Sequence, residues 1–290
     1  MGNFYANGLV ITVGNSKGGV GKTSIVRHLA YTLSEKNYKV LCIDMDTQAS
    51  LSDSLFLTRS NFHNEAPVYR KTFMQGIDEG NITNLIENVK ENLDFIPSNL
   101  DLENFPLFLT RKFGLADKKD MNLYKTIKLH QYKYFDELIN PLRKIYDFIF
   151  IDTPPTSSDF THAPAYCSDF VVIAFQTQAD SLKGVLSYFN NTLKHLCMDF
   201  DSSLDLLGIL PNELNPSGSI DKQVMEEVTD MFGKNNVFKH YIKYAKSIQN
   251  VPRDGISVEG RWNKKMQEEI FEPIADEFIE RINKKLELNN

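Results

Sequence analysis

The chain has 290 residues, 42% hydrophobic and 24% charged, which suits one large α/β domain or two small ones and excludes a disordered polymer. With 32 Lys and Arg against 38 Asp and Glu the net charge is -6, which excludes a uniformly basic nucleic-acid protein but leaves room for a local basic face. Cys42, Cys167 and Cys197 share no CxxC spacing, so no disulfide framework, zinc knuckle or cysteine-held iron–sulfur cluster is expected. The chain shows neither an apolar run of about 18 residues nor a basic-then-apolar leader, which points to the cytoplasm.

No internal repeat or low-complexity tract is visible, so a single domain over residues 1–290 is expected. Residues 9–13 are apolar and β-branched and predict a strand, and a glycine-rich turn follows at 14–21. Ile25, Leu29 and Leu33 recur at helical spacing, and residues 39–44 predict a second buried strand. Further strands are expected at 93–96, 148–151, 170–175 and 206–210, separated by helices near 84–89, 135–145, 182–196 and 220–232. Continuous apolar strands alternating with helices imply an α/β fold with a mainly parallel, twisted sheet covered by helices on both faces. Ile270, Ile274, Phe278, Ile282 and Leu286 predict a closing C-terminal helix over 266–286, while 56–133 reads as polar and less regular.

Between the first strand and the first helix stands Ser16-Lys17-Gly18-Gly19-Val20-Gly21-Lys22-Thr23. Phosphate oxygens are met by backbone N–H groups at a helix N-terminus, and glycines permit the close approach. Lys22 supplies positive charge to the β/γ-phosphates and the Thr23 hydroxyl suits Mg²⁺. The expected nucleotide-binding set is Lys17, Gly18, Gly19, Val20, Gly21, Lys22, Thr23 and Ser24.

This segment resembles the deviant Walker A motif of the ParA/MinD superfamily of P-loop ATPases, whose members commonly lack the first glycine, here Ser16. The resemblance implies a P-loop NTPase fold and a catalytic role for Lys17. In relatives that lysine reaches across an ATP-dependent sandwich homodimer to the other subunit's phosphates, as an arginine finger does. Asp44-Met45-Asp46-Thr47-Gln48 resembles the family's D-x-D-P-Q segment, with Thr47 in the proline's place. Strand alternation places Asp44 and Asp46 on one side. The resemblance implies that Asp46 positions the attacking water and that Asp44 supports the metal shell; Asp46 also suits a plain helix cap. Asp152, ending the apolar strand before Thr153-Pro154-Pro155, resembles the family's Walker B aspartate and would bind Mg²⁺ through water. The expected metal set is Thr23, Asp44 and Asp152, and the expected cofactors are ATP and Mg²⁺.

No Asn-Lys-x-Asp guanine reader is present, which favours adenine, and Asn212 suits either a hydrogen bond to the adenine edge or an ordinary turn after Pro211. Between Gly233 and Lys265, Lys234, Lys239, Lys243, Lys246, Arg253, Arg261, Lys264 and Lys265 face only Asp254 and Glu259. Such segregation suits a phosphate-backbone footprint or a solvated basic surface. Lys239, Lys243, Lys246, Arg253, Lys264 and Lys265 are the candidate DNA contacts; a second cluster (Arg111, Lys112, Lys118, Lys119, Lys125, Lys128, Lys133) is a further candidate. Asp180-Ser181-Leu182-Lys183-Gly184 also resembles a family segment.

The resemblance implies a DNA-partition ATPase: an ATP-bound homodimer on nonspecific DNA, released by a centromere-bound ParB-type partner and so associated with the nucleoid. Only eight residues precede the first strand, so the helix-turn-helix extension of longer plasmid partition proteins is not expected. A MinD-like membrane or cargo-positioning ATPase is the alternative, but Glu268, Glu269, Glu272, Asp276, Glu277 and Glu280 make the last helix repellent to anionic lipid. An amidoligase on the same fold is a third possibility, without an evident substrate constellation.

Overall fold

A computed structural model describes residues 5–63, 71–178, 181–215, 218–256 and 261–288. Among the described residues, seven strands are β1 (Leu9–Gly14), β2 (Val40–Asp44), β3 (Glu87–Lys90), β4 (Leu93–Ile96), β5 (Phe148–Asp152), β6 (Phe170–Gln176) and β7 (Asp205–Asn212). They form one sheet in the order β3-β4-β2-β5-β1-β6-β7, parallel except for the β3–β4 pair at one edge.

The helices between them are α1 (Lys22–Glu35), α2 (Ser50–Ser60), α3 (Phe73–Glu79), α4 (Phe105–Phe113), α5 (Met121–Ile139) and α6 (Asp159–Cys167). Beyond β6 come α7 (Ser181–Tyr188) and α8 (His195–Phe200), joined by a π-helical stretch, Phe189–Lys194, and then α9 (Ser219–Phe232). The last three are α10 (Lys246–Asp254), α11 (Arg261–Met266) and α12 (Glu272–Leu288), the final pair bridged by a π-helical turn, Gln267–Phe271.

Strand residues alternate between two cores because successive side chains point to opposite faces. Val10, Ile149, Ile151, Val171 and Ile173 pack with α5 and α6 residues such as Phe135 and Ala163. Ile11, Val13, Phe148, Phe150 and Val172 pack with α1 and α12. With both faces covered no polar alternation survives, which is why the strands read as unbroken apolar runs. The ring of Phe278 on α12 lies 5.6 Å from Phe148 and 5.7 Å from Phe150, so the C-terminal helix is seated on the sheet's centre. His28 on α1 is fully buried and stacks on Phe271 at 4.2 Å; burial drives its imidazole toward the neutral form.

Two expected helices take different form. Residues 84–89 contain the end of a 3-10 turn, Thr83–Leu85, and then the edge strand β3. Leu85 and Val89 mimic helical spacing, but the segment is too short to nucleate a stable helix and pairing with β4 prevails. The helix expected at 135–145 starts earlier, as α5, and ends at Ile139 before a 3-10 turn, Asn140–Lys144. Pro141 lacks the N–H that a further α-turn needs. Within 56–133, thought less regular, the described residues hold α3, β3, β4, α4 and most of α5.

The segment after β7 is fixed to α12 by one buried carboxylate. Glu277 accepts the backbone N–H of Lys239 (2.8 Å) and of His240 (2.9 Å), and also Arg281 Nε (2.9 Å). Arg281 in turn donates to the carbonyls of Leu207, Asn235 and Val237 and stacks over Phe238. Burial pushes the Glu277 carboxyl up, but the His240 and Lys239 amides and the Arg281 guanidinium outweigh it and hold the pKa below the ordinary value. A lowered folded pKa gives stability that is present above the unfolded value of about 4.3 and lost as pH falls through the folded one. Thermal midpoints of the wild type should therefore drop as pH falls below about 4, and Glu277→Gln should be less stable at neutral pH with a flatter acid limb. Parallel acid limbs in the two proteins would contradict this assignment.

Candidate nucleotide site

The site lies where the strand order reverses around β1, at the carboxyl ends of the parallel strands. The chain leaves β1 through Asn15, whose Nδ2 donates to the Ala174 carbonyl of β6 (2.7 Å) and whose Oδ1 accepts the Lys17 N–H (2.8 Å). That buried asparagine sets the start of the loop. Gly19 (φ 74°) and Gly21 (φ 89°) take left-handed conformations that a side chain would strain. A Cβ on Gly19 would meet nothing within 4 Å, and one on Gly18 only Pro155 at 3.7 Å, so this stretch of backbone faces open space. A Cβ on Gly21 would instead lie 2.1 Å from Asn212 Nδ2, the atom that donates to the Val20 carbonyl at 3.0 Å.

Lys22 opens α1, and its ammonium donates into the loop, to the carbonyls of Lys17 (3.2 Å) and Asn15 (3.4 Å). Burial lowers its pKa while Asp152 and Asp46 oppose that shift. Val20 is buried, and Ser24 lies in the first turn of α1. Thr23 Oγ1 donates to Asp152 Oδ2 at 2.7 Å. Sheet register pairs Asp152 with Asp44 across β5 and β2, so two buried carboxylates stand side by side.

Asp44 is tied down by protein donors: the Ser52 N–H (2.9 Å) and hydroxyl (2.7 Å) and the Asp46 N–H (3.0 Å). Burial still pushes its pKa to about 6 against those bonds. Burial, then the charge of Asp44, pushes Asp152 to about 8, against the Thr23 hydrogen bond and the Lys22 charge. Asp152 Oδ1 is buried with no partner among the described residues. An unpartnered carboxylate oxygen beside a threonine hydroxyl fits a hydrated Mg²⁺. Among the described residues no three His, Cys, Asp or Glu side chains form a ready-made metal cage, so such a metal would need phosphate and water oxygens as well.

Asp46 lies beyond the strand, partly exposed, and its Oδ1 accepts the Gln48 N–H at 3.0 Å in a tight turn that leads to α2. The turn forms with Thr47 in place of proline. Lys17 extends away from the cradle: its Nζ donates to Ser181 Oγ (3.2 Å) and Gln178 Oε1 (3.3 Å) at the start of α7. Gly184 permits this, because a Cβ there would lie 2.6 Å from Asn15 Oδ1 and 2.9 Å from Lys17 Cβ. Asp180 lies outside the described residues.

Asn212 is the last residue of β7, so it stands in a strand rather than a turn. It is buried and clamps the P-loop, and a cavity of about 840 Å³ begins beside it, lined by Gln176, Thr177, Glu213, Leu214, Lys243 and Tyr244 among others. Sequence reasoning passed over Asn15, Ser52 and Gln178, and marked Ser181 only as part of the segment 180–184. Asn15 had a visible signal, a polar residue directly after a strand and before the glycines; Ser52, Gln178 and Ser181 meet Asp44 and Lys17 only through packing.

Lys239, Lys243 and Arg253 are exposed. Lys264 and Lys265 are also exposed and make i,i+4 pairs with Glu268 (3.8 Å) and Glu269 (3.6 Å), which are weak at a solvated surface. The side chain of Lys246 lies outside the described residues, as do those of Arg261 and Trp262. In the second basic cluster, Lys112 covers the rings of Tyr134 and Phe108, Lys118 covers Tyr124, and Lys125 and Lys128 pair with Asp199 and Asp159. Those four serve contacts within the chain.

The two raised carboxyls have a thermodynamic consequence. A pKa raised on folding gives stability that is full below the unfolded value and lost as pH rises through the folded one. Between about pH 4 and the value of about 8 for Asp152, the nucleotide-free protein should lose stability from this site. Asp152→Asn should therefore raise the thermal midpoint by a few degrees at pH 8 and by less at pH 5. A midpoint lowered equally at both would refute the buried-charge assignment.

The chain matches the AAA_31 family, an AAA domain, over residues 8–206. It is 27% identical over 249 residues to the sporulation initiation inhibitor protein Soj of Bacillus subtilis, covering 86% of this chain and 89% of that one. Across such relatives the matched stretch spans from 64% of some to 95% of others. Among solved structures, it superposes on a Borrelia burgdorferi protein described as a plasmid partition protein, bound to AMPPNP. That match has a TM-score of 0.68 and 23% identity over 96% of this chain and 99% of that one. Cobyrinic acid a,c-diamide synthase from Mycobacterium smegmatis, with ADP and magnesium, matches with a TM-score of 0.66 and 21% identity over 84% and 90%. With the family match covering well over half its length and the cradle and two strand-end aspartates in place, the chain belongs to the AAA_31 family, within the ParA/MinD superfamily of P-loop ATPases.

Proposed function

We propose that the chain is a DNA-partition ATPase of the ParA type, one that uses ATP with Mg²⁺, pairs into a sandwich homodimer and holds nonspecific DNA until a ParB-type partner stimulates hydrolysis. The observation that carries the ATPase reading is the open glycine cradle with Thr23 bonded to Asp152 and the second Asp152 oxygen unpartnered among the described residues. The similarity to Soj supports the cellular role. Cytoplasmic residence and association with the nucleoid follow from that role, with residues 1–290 acting as a single domain.

In this reading the backbone of Gly18 to Gly21 receives phosphate oxygens, and Lys22 turns from the loop carbonyls toward the β/γ-phosphates. Thr23 and Asp152 would hold Mg²⁺, with Asp44 steadying the neighbouring turn, and the bound ion would neutralise phosphate charge. Asp46 orients the attacking water, and its exposure leaves it accessible to the substrate's terminal phosphate. Lys17 leaves Gln178 and Ser181 to reach the opposing protomer's γ-phosphate, so nucleotide state and pairing state change together. The cavity beside Asn212 is of a size that suits a nucleoside.

A membrane role is disfavoured by packing. Ile274, Phe278 and Ile282, the apolar face of α12, are buried against the sheet, and the exposed side carries Glu272 and Asp276. No described helix is long and apolar enough to cross a membrane.

Lys22→Ala should abolish binding of a fluorescent ATP analogue, whereas Asp46→Ala should bind ATP and accumulate as a dimer in size-exclusion chromatography. A monomeric Asp46→Ala at saturating ATP would remove Asp46 from the hydrolytic role. Lys243→Ala with Lys246→Ala should weaken retention on nonspecific DNA and reduce the slope of log affinity against log salt by about 2. An unchanged slope in that double variant would place the DNA footprint elsewhere.

A further inference from the structure

α1 carries a buried arginine that the nucleotide site does not use. Arg27 is 4% exposed, and it follows Thr23 by one helical turn, on the same face. Its Nη2 donates to the Ile248 carbonyl of α10 at 3.4 Å and to Ser24 Oγ at 3.5 Å, while Nε has no partner among the described residues. A buried guanidinium is costly to desolvate, so its contact with the Ile248 carbonyl needs a cause.

The cause lies in α10. In an α-helix the carbonyl of residue 248 receives the amide of residue 252. Residue 252 is Pro252, inside the helix, and has no N–H to give. Arg27 thus supplies the donor that the proline removes. The pairing links two elements distant in sequence: the helix that begins with Lys22 and Thr23, and α10, which follows Lys243 and carries Arg253.

The other end of α10 is anchored on α2. The Ile256 N–H donates to Thr58 Oγ1 (2.9 Å), Asn61 Nδ2 donates to the Ile256 carbonyl (3.0 Å), and Gly255 lets the backbones meet, since a Cβ there would lie 2.5 Å from the Thr58 nitrogen. α2 is itself held at its first turn by Asp44, through Ser52. The basic segment is therefore moored to both helices whose N-terminal turns build the nucleotide site. The charge of Asp152 also acts on Arg27, favouring its charged form against the effect of burial.

We propose that Arg27 is a positioning residue that couples occupancy of the P-loop to the placement of residues 243–253, through the carbonyl that Pro252 leaves without a donor. The proposal rests on the DNA-partition reading for its output, and the two fail separately in the following test. Full-length wild type, Arg27→Met, Pro252→Ala and the double variant are compared for thermal midpoint, affinity for fluorescent ATP and ADP analogues, and retention on nonspecific duplex DNA with ATP against ADP.

Arg27→Met should lower the ATP-over-ADP retention ratio by at least about fivefold, in the range of ordinary coupling between sites. ATP-analogue affinity should change less than about threefold, the effect of one modest hydrogen bond. In the double variant the backbone amide restored by Pro252→Ala can reach the Ile248 carbonyl, so the thermal midpoint should recover while the retention ratio stays low; Pro252→Ala alone should keep the ratio. A wild-type ratio in Arg27→Met, or a ratio that recovers together with stability in the double variant, would overturn the coupling. If the wild type holds DNA equally with either nucleotide, the DNA reading falls. The pin is then judged by the midpoints: additive losses overturn it, and non-additive losses support it.

Discussion

The hydrogen bond from Thr23 to Asp152 joins the first turn of the nucleotide helix to the end of the central strand β5. Every other feature of the site takes its position from that junction. Asp152 is fixed in the sheet between β2 and β1, and Thr23 fixes the start of α1, so the loop from Asn15 to Gly21 must close a gap of set length. Asn15 and Asn212 hold the two sides of the loop, one on β6 and the other from the end of β7. Gly19 and Gly21 then supply left-handed conformations that most side chains would strain.

This arrangement is costly without its ligand. Two carboxylates buried side by side repel each other and lack solvent, and the buried Lys22 finds, among the described residues, loop carbonyls as its hydrogen-bond partners. Such concentrated, unsatisfied charge belongs at functional sites, where a ligand of complementary charge relieves it. Triphosphate and Mg²⁺ carry the charges that this site lacks: anionic oxygens for Lys22 and the glycine amides, and a cation for Asp152. The protein's stability and its affinity for nucleotide are thus two expressions of the same electrostatic imbalance.

The C-terminal third connects that site to the surface. Glu277 and Arg281 bind the segment after β7 to α12 through backbone groups, which fixes the path of the chain while leaving Lys239 and Lys243 exposed. Arg27 and Thr58 hold the next helix from the other side. Basic residues that read as a run in sequence are therefore held in part by α1 and α2, the helices that follow the P-loop and the Asp44 turn. The second basic cluster differs: its lysines cover aromatic rings or neutralise aspartates, and composition alone does not separate these two uses of the same residue type.

The sequence by itself determined the local chemistry. Glycine spacing, the lysine and threonine that follow, and aspartates ending apolar runs are constraints that act within a few residues, so they are legible without a fold. Strands buried on both faces are legible for the same reason, as are helices long enough to show their period. The edge strand β3 and the end of α5 at Pro141 were harder: short segments take their form from neighbours, and Leu85 and Val89 satisfy a helical spacing that pairing with β4 overrides. Only the tertiary structure decided that Asn212 clamps the P-loop, that Ser52 steadies Asp44, that Lys17 rests on Gln178 and Ser181, and that Arg27 meets the carbonyl freed by Pro252. Each rests on one or two hydrogen bonds between residues that the fold brings together. Such bonds leave no periodicity or motif, because their geometry exists only after the sheet has brought the segments together.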